Sequence, residues 1–470
     1  MHFNFCILNN DTTPTYLGTE NIGQLLIRYA LPAIIAMTAA SLYNITDSIF
    51  IGHGVGALAL TGLGITFPLM NLSAAFGSMV GIGASTLLSI RMGQKDYQTS
   101  KMILGNVVIL NVIVGIILGI ITIVFLKPIL FFFKANEETL PYAYDFMLII
   151  MAGNVFTHLY YGLNAMLRSS GSPMKAMFAT IATVVINLIL NPLFIFGFGW
   201  GIRGSALATI TSQILVLGWQ IYFFSNKNYF IHFQKGVFKL KKKIVRDSLA
   251  IGMSPFLLNA ASCLIIFLIT QQLLKYGGND AVGAYTIVNR VAFLFIMIIV
   301  GLNQGMQPIA SYNFGADLQG RVREVLKKTM LIATLVMVWG FIIVEIFPRQ
   351  VASIFTTKKE LIDFAAVGLR WVFLCYPIVG FQMVTAVFFQ CIGRVSKSII
   401  LSLTRQVLIL IPLLLIIPNY FGVTGVWVTM PIADFISAIL TAILLKRELN
   451  VKNINILPKK IRKIIHFPTY

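Results

Sequence analysis

Apolar runs of 19 to 33 residues, separated by short charged or Gly/Pro-rich breaks, recur along the whole chain. A hydrocarbon core is crossed by about 20 helical residues, so each run predicts one crossing. The runs fall at 25–51, 57–89, 103–126, 143–166, 176–198 and 204–224, then at 249–274, 281–310, 329–347, 362–389, 399–417 and 423–445. The pattern predicts an all-α, polytopic membrane protein with twelve transmembrane helices. Twelve crossings use roughly 240 residues, which leaves short loops and no separate soluble domain.

The longest polar stretch, 225–246, lies between the sixth and seventh runs and carries KLKKK at 239–243. It divides the chain into a first six-helix bundle at 22–224, a cytoplasmic linker at 225–247 and a second bundle at 248–448. The halves repeat. Gly83, Ser89 and Gly93 match Gly305, Ser311 and Gly315 at a displacement of 222, as Gly171 and Lys175 match Gly393 and Lys397. Gly201 and Gly204 match Gly422 and Gly425 at 221. Six crossings return the chain to its starting side, so the repeats are parallel and two pseudo-twofold-related bundles flank a cleft. That is the construction of a transporter whose bundles rock about a central site.

Composition sharpens this picture. Apolar residues make up 57% of the 470 and charged ones 11%, against about 25% charged in soluble domains. The net charge of +20, from 36 basic and 16 acidic residues, would suggest nucleic acid in a soluble protein. Here its distribution points to the lipid bilayer and to no nucleic acid. One alternate set of loops holds 25 Lys and Arg and the opposite set holds seven. By the positive-inside rule the rich set and both termini are cytoplasmic, and the expected location is the plasma (inner) membrane. No basic n-region precedes the first run, so no cleaved signal is expected. The four cysteines show no paired spacing and read as small core residues.

No phosphate-cradling loop, HExxH or GxSxG motif is present, so neither an ATP-driven pump nor a familiar hydrolase is expected. The chain reads as no enzyme and as needing no cofactor. Energy must come from an ion gradient.

Several segments resemble the multidrug and toxic compound extrusion (MATE) transporters, particularly their DinF-like branch. They are LPAIIAMTAASLYNITDSIFIGHGVGALAL at 31–60, RSSGSPMKA at 168–176, NLILNPLFIFGFGWGIRGSALAT at 187–209, GLNQGMQPIASYNFGA at 301–316 and QCIGRVSKS at 390–398. The resemblance covers about 22–448. It implies a secondary antiporter that expels amphipathic, often cationic, small molecules in exchange for H+ or Na+. A lipid-linked oligosaccharide flippase of related architecture is the alternative, and a monomer is expected.

Of the sixteen acids, only Asp47 and Asp434 sit clearly within apolar runs. A carboxylate in hydrocarbon is costly unless it faces the bundle interior or a water-filled cavity. Burial disfavours the charged form and a nearby cation favours it, so one such group can exchange a proton or Na+ for a cationic solute. Asp47 matches the aspartate of the family's first helix, and Tyr43 and Asn44 precede it on the same face. Asn187 and Asn191 in the fifth run, with Ser205 and Thr209 in the sixth, are each one turn apart. The set Asp47, Asn187 and Thr209 can ligate Na+ through hard oxygens, or these groups simply bond between helices. Many relatives have Asp before Pro where this chain has Asn191 before Pro192, which removes one carboxylate.

Asp434 offers either a second anionic site for a cationic substrate or a partner for Arg405. Pro32 predicts a kink in the first helix and a candidate hinge. Arg290 lies inside the eighth run, where it lines the cleft, contacts Asp434 or snorkels to the outer interface; Glu345 and Asp363 lie near outer ends, and His53 reads as an exposed loop residue.

Overall fold

The structure, a computed structural model, describes residues 14–450, without the side chains of Asn44, Ile45 and Asn450. Cys6 and the basic residues of 452–463 lie outside the described residues. The first half contains α1 (Ile22–Gly54), α2 (Ala57–Gly93), α3 (Tyr97–Val124), the short α4 (Leu126–Phe132), α5 (Leu140–Ala152), α6 (Asn154–Ser169), α7 (Pro173–Pro192) and α8 (Gly201–Ser225). The second contains α9 (Lys242–Gly315), α10 (Gln319–Ile346), the short α11 (Pro348–Ser353), α12 (Lys359–Phe373), α13 (Tyr376–Cys391), α14 (Val395–Leu403), α15 (Ile411–Ile416) and α16 (Pro418–Asn450).

Among the described residues, nine helices are long and apolar enough to cross a membrane, and two bent pairs, α5 with α6 and α12 with α13, supply one crossing each. The twelfth is hidden in α9. A straight helix of its 74 residues would be about 110 Å long at 1.5 Å per residue, several bilayer cores deep. Gly278 breaks it with φ 66° and ψ −160°, a backbone conformation that favours glycine. Its counterpart 222 residues earlier, Gly56, also has positive φ and separates α1 from α2. So α9 is two crossings, and the predicted twelve stand.

The repeat extends to the element boundaries. Helices α3 and α10, α4 and α11, α6 and α13, and α7 and α14 begin 222 residues apart. The left-handed positions Lys95 and Asp317, and Gly171 and Gly393, keep the same displacement. The two bent crossings correspond as well, at 56° and 51°, and fall on the predicted runs 143–166 and 362–389. Pro377 at the start of α13 cannot donate back into α12, which ends the helical ladder there. In the first half Gly153 takes the corner, where an added Cβ would sit 2.6 Å from Ile210.

The halves meet like the subunits of a twofold dimer, in which i touches j and j touches i. A Cβ on Gly93 would lie 2.1 Å from Tyr312 O, and one on Gly315 would lie 2.1 Å from Ile90 O. These pairs exchange under the 222-residue displacement. Gln307 Nε2 also donates to the Oγ of its own counterpart, Ser85, at 2.9 Å. The pseudo-twofold axis therefore passes between α2 and the second crossing of α9, close to the face that carries both described chain ends.

Outer surfaces are apolar because lipid is their solvent. Ile113, Ile117 and Ile120 line one face of α3 and are 39%, 50% and 59% exposed. The 225–241 segment is fixed to the first half: Asn106 Nδ2 donates to Lys239 O at 3.2 Å, and Asn106 Oδ1 accepts from Lys241 N at 2.8 Å.

Candidate functional site

Three helices of the first half converge on Asp47. Helix α1 brings Tyr43 and Asp47, α7 brings Asn187 and Asn191, and α8 brings Ser205 and Thr209. In each pair a spacing of four residues puts both side chains on one face. Pro192 ends α7 beside Asn191, and a π turn at Leu193–Gly197 follows. Such turns re-aim side chains and recur at functional sites.

Ser205 Oγ donates to Asp47 Oδ1 at 2.7 Å, and Asn191 Nδ2 donates to the same oxygen. One turn away, Tyr43 Oη and Thr209 Oγ1 are 2.9 Å apart. Asn187 joins the two groups: its Nδ2 donates to Thr209 Oγ1 at 3.2 Å and to Tyr43 Oη at 3.4 Å, and its Oδ1 accepts from Asn191 Nδ2 at 3.5 Å. Asp47 is 8% exposed, and Asn187, Asn191 and Ser205 are at most 1% exposed. Asn191 Oδ1 has no hydrogen-bond partner among the described residues. Six of the seven residues expected to cooperate thus form one network, and the side chain of the seventh, Asn44, lies outside the described residues.

The donor set bears on the ion. The amide nitrogens of Asn191 and Asn187 face Asp47 and Thr209. For Na+ among Asp47, Asn187 and Thr209, Asn187 would have to turn inward its carbonyl oxygen, which accepts from Asn191 Nδ2. A proton needs no such rearrangement, because the carboxylate itself accepts it. No group of three or more His, Cys, Asp or Glu able to hold a metal occurs among the described residues.

The network borders a cavity of about 230 Å³. Tyr43 and Thr209 line it together with Tyr161, Thr183, Gln213 and Arg168, and Gln304 reaches in from the second half. Sequence reasoning named Tyr43 and Thr209 but passed over the other lining residues. The signal was present in α7, where Thr180, Thr183, Asn187 and Asn191 recur at three- and four-residue spacing as a polar stripe in an otherwise apolar helix. It also passed over a buried cluster in which Ser73 Oγ donates to Asn154 Oδ1 at 2.7 Å beside His158.

Asp434, 3% exposed, belongs to the second half and does not join this network. Arg405 Nε donates to Asp434 Oδ1 at 2.5 Å, so the carboxylate is paired within the protein. Pro32 is buried within a continuous α1. His53 is exposed, in the last turn of α1. Glu345 and Asp363 form exposed pairs with Arg370 and Arg349, and Arg290 is exposed.

The duplicated architecture also appears in family comparison. The MatE family model matches this chain twice, at residues 32–193 and 255–416, once in each half. The chain belongs to the MatE family. It is a membrane transporter and no enzyme. The multidrug export protein MepA of Staphylococcus aureus is 27% identical over 441 residues, which cover 93% of this chain and 97% of that protein. A solved structure of the MATE multidrug transporter DinF-BH, in a ligand complex, is 33% identical, with a TM-score of 0.86, covering 92% of this chain and 97% of that one. An outward-facing MATE-family transporter superimposes with a TM-score of 0.89 at 23% identity, covering 94% of this chain and 99% of that one, which shows the shared fold.

Proposed function

We propose that this transporter exports amphipathic, often cationic, small molecules by antiport, with Asp47 exchanging a proton for the solute. The observation that carries the reading is a single buried carboxylate whose network reaches the cavity through Tyr43 and Thr209. MepA is a multidrug export protein and DinF-BH a multidrug transporter, which supports the drug-like substrate class. The alternative of a lipid-linked oligosaccharide flippase draws no support from these relatives. We assign the proton before Na+ because the Asp47 carboxylate binds a proton by itself, whereas Na+ needs several hard oxygens and the network supplies no second carboxylate.

The termini and the basic linker lie on the cytoplasmic side of the plasma membrane, by the excess of Lys and Arg in the loops of that face. The contacts that join the two bundles cluster toward the same side, which fits a state open to the exterior. Alternating access follows when the bundles, 22–224 and 248–448, rock about the axis near Gly93 and Gly315 and carry the linker with the first. Pro32 is the hinge candidate in α1. The transporter acts as a monomer within the lipid bilayer, since each chain already contains both bundles.

The test is dye efflux from vesicles with H+ and Na+ gradients imposed separately. A proton gradient alone drives efflux by the wild type and not by Asp47→Asn. Efflux by a folded Asp47→Asn protein at the wild-type rate overturns the coupling role.

A further inference from the structure

The two halves share a backbone but differ in what they enclose. The positions equivalent to Asp47, Asn187, Asn191, Ser205 and Thr209 are Ile269, Ile409, Leu413, Val426 and Met430. The second half therefore lacks the coupling network. The cavity of the first half, however, maps onto charged and amide side chains of the second. Thr183 and Gln213 line that cavity, and their counterparts are Arg405, at 222, and Asp434, at 221, the displacement that relates α8 to α16. Tyr160 corresponds to Gln382, and Val184 to Gln406.

We propose that the second half holds a subsite for the carboxylate of an amphipathic zwitterion, built on Arg405 and oriented by Asp434. Three observations converge on it. The side chain of Asp434 is 4% exposed and that of Arg405 is 30% exposed, so the carboxylate is enclosed while part of the arginine remains accessible. Only Nε of Arg405 is hydrogen-bonded among the described residues, which leaves the terminal nitrogens for a second oxyanion; a guanidinium fork suits a carboxylate. Arg405 also lies in a π segment, Thr404–Leu410, the kind of irregular turn that recurs at functional sites.

The neighbouring amides complete the chemistry. Gln382, 6% exposed, donates through Nε2 to Asp434 O at 2.5 Å, and Gln406 donates through Nε2 to Ser262 Oγ at 2.8 Å. The Oε1 atoms of both are unpartnered among the described residues. Buried acceptors left unpaired are costly; both are enclosed in this structure, so a ligand N–H reaches them only when the amide side chains turn. A solute offering both a carboxylate and an N–H fits better than a simple cation, which the guanidinium repels. Charge neutrality of the Arg405–Asp434 pair keeps the empty site tolerable in a low-dielectric interior.

This subsite rests on the reading of the chain as an exporter of amphiphiles. Equilibrium binding without any ion gradient tests it apart from coupling. The probes are a cationic rhodamine ethyl ester and the free acid of the same dye, a zwitterion, titrated into purified protein by fluorescence anisotropy. The double variant Arg405→Gln/Asp434→Asn removes the pair without leaving a lone buried charge. It is expected to bind the free acid about tenfold more weakly than the wild type and the ester within about twofold. The proposal is overturned if the wild type does not bind the free acid, if the folded double variant keeps wild-type affinity for it, or if both dyes are lost equally. Should the double variant fail to fold, Arg405→Lys decides. It keeps the charge and loses the fork, so weaker binding of the free acid alone supports the subsite and unchanged binding overturns it.

Discussion

At the scale of single residues, the proposed coupling site depends on one ionisable group held by neutral donors. Asn in place of Asp47 keeps the shape and removes the titration. Asp47→Asn, which mimics the protonated carboxyl, is expected to abolish gradient-driven efflux and to bind a cationic dye more weakly than wild type, because exchange requires that protonation lower solute affinity, read by vesicle efflux and anisotropy on the same preparation. One proton moved inward yields about 2.3 kcal/mol per 100 mV, which drives the export of a neutral or zwitterionic solute, whereas exchange for a monovalent cation moves no net charge and draws on the pH gradient alone. The companion prediction concerns Asn191, whose Nδ2 now donates to Asp47. Asn191→Asp replaces that donor with a second hard oxygen anion, a combination that suits a cation better than a proton alone. The variant should gain thermal stability in Na+ over K+, by about 2.7 kcal/mol at a hundredfold excess over the dissociation constant, where the wild type shows no difference. Equal melting of the variant in the two salts would remove the argument that Asn191 steers the site away from Na+.

At the scale of elements, legibility followed the physics. The crossings could be read because a bilayer leaves long apolar runs, and the polar cluster around Asp47 could be read because spacings of four place polar groups on one helix face. The corner at Gly153 was not legible, since one glycine in an apolar run has many uses and only its contact with Ile210 identifies this one. The cavity was hidden for a related reason: Gln213 and Arg168 become its neighbours through tertiary packing, which no local pattern encodes. Asp434 was recognisable as a buried acid, but the choice between substrate and Arg405 as its partner needed coordinates. The repeat showed that glycines mattered without showing why. Gly93 and Gly315 supply the close approach of the two halves, and a Cβ at either would meet a carbonyl oxygen at 2.1 Å. Gly315→Ala should therefore cost about 1–3 kcal/mol, the range for overpacking a well-filled contact, and lower the melting temperature of the purified protein. A variant that melts like wild type would show that the halves do not need this contact.

At the scale of the whole molecule, the segment before α1 straps the halves together. Tyr16 Oη donates to Gly171 O of the first half at 3.1 Å and lies 2.8 Å from Tyr29 Oη. The next residue, Leu17, is fully buried, and its carbonyl accepts from Asn313 Nδ2 at 2.8 Å and from Arg321 Nη2 at 3.1 Å, both in the second half. The same Arg321 nitrogen donates to Glu20 O at 2.6 Å. These bonds must break if the bundles part on this face, so they weight the equilibrium toward the state seen here. Arg321→Gln keeps a shorter donor but gives up the charge-assisted bonds, and a shift of one to two kcal/mol changes a two-state ratio by about 5- to 30-fold. Thr86 reports that shift, because it is fully buried beneath Gln307 of the second half, with Nε2 to Oγ1 at 2.6 Å. With the native cysteines replaced and Thr86→Cys introduced, a membrane-impermeant maleimide should label inside-out vesicles faster by about that factor when Arg321→Gln is present. Unchanged labelling would mean that the strap is passive packing and that the contacts along the axis alone set the balance between the two faces.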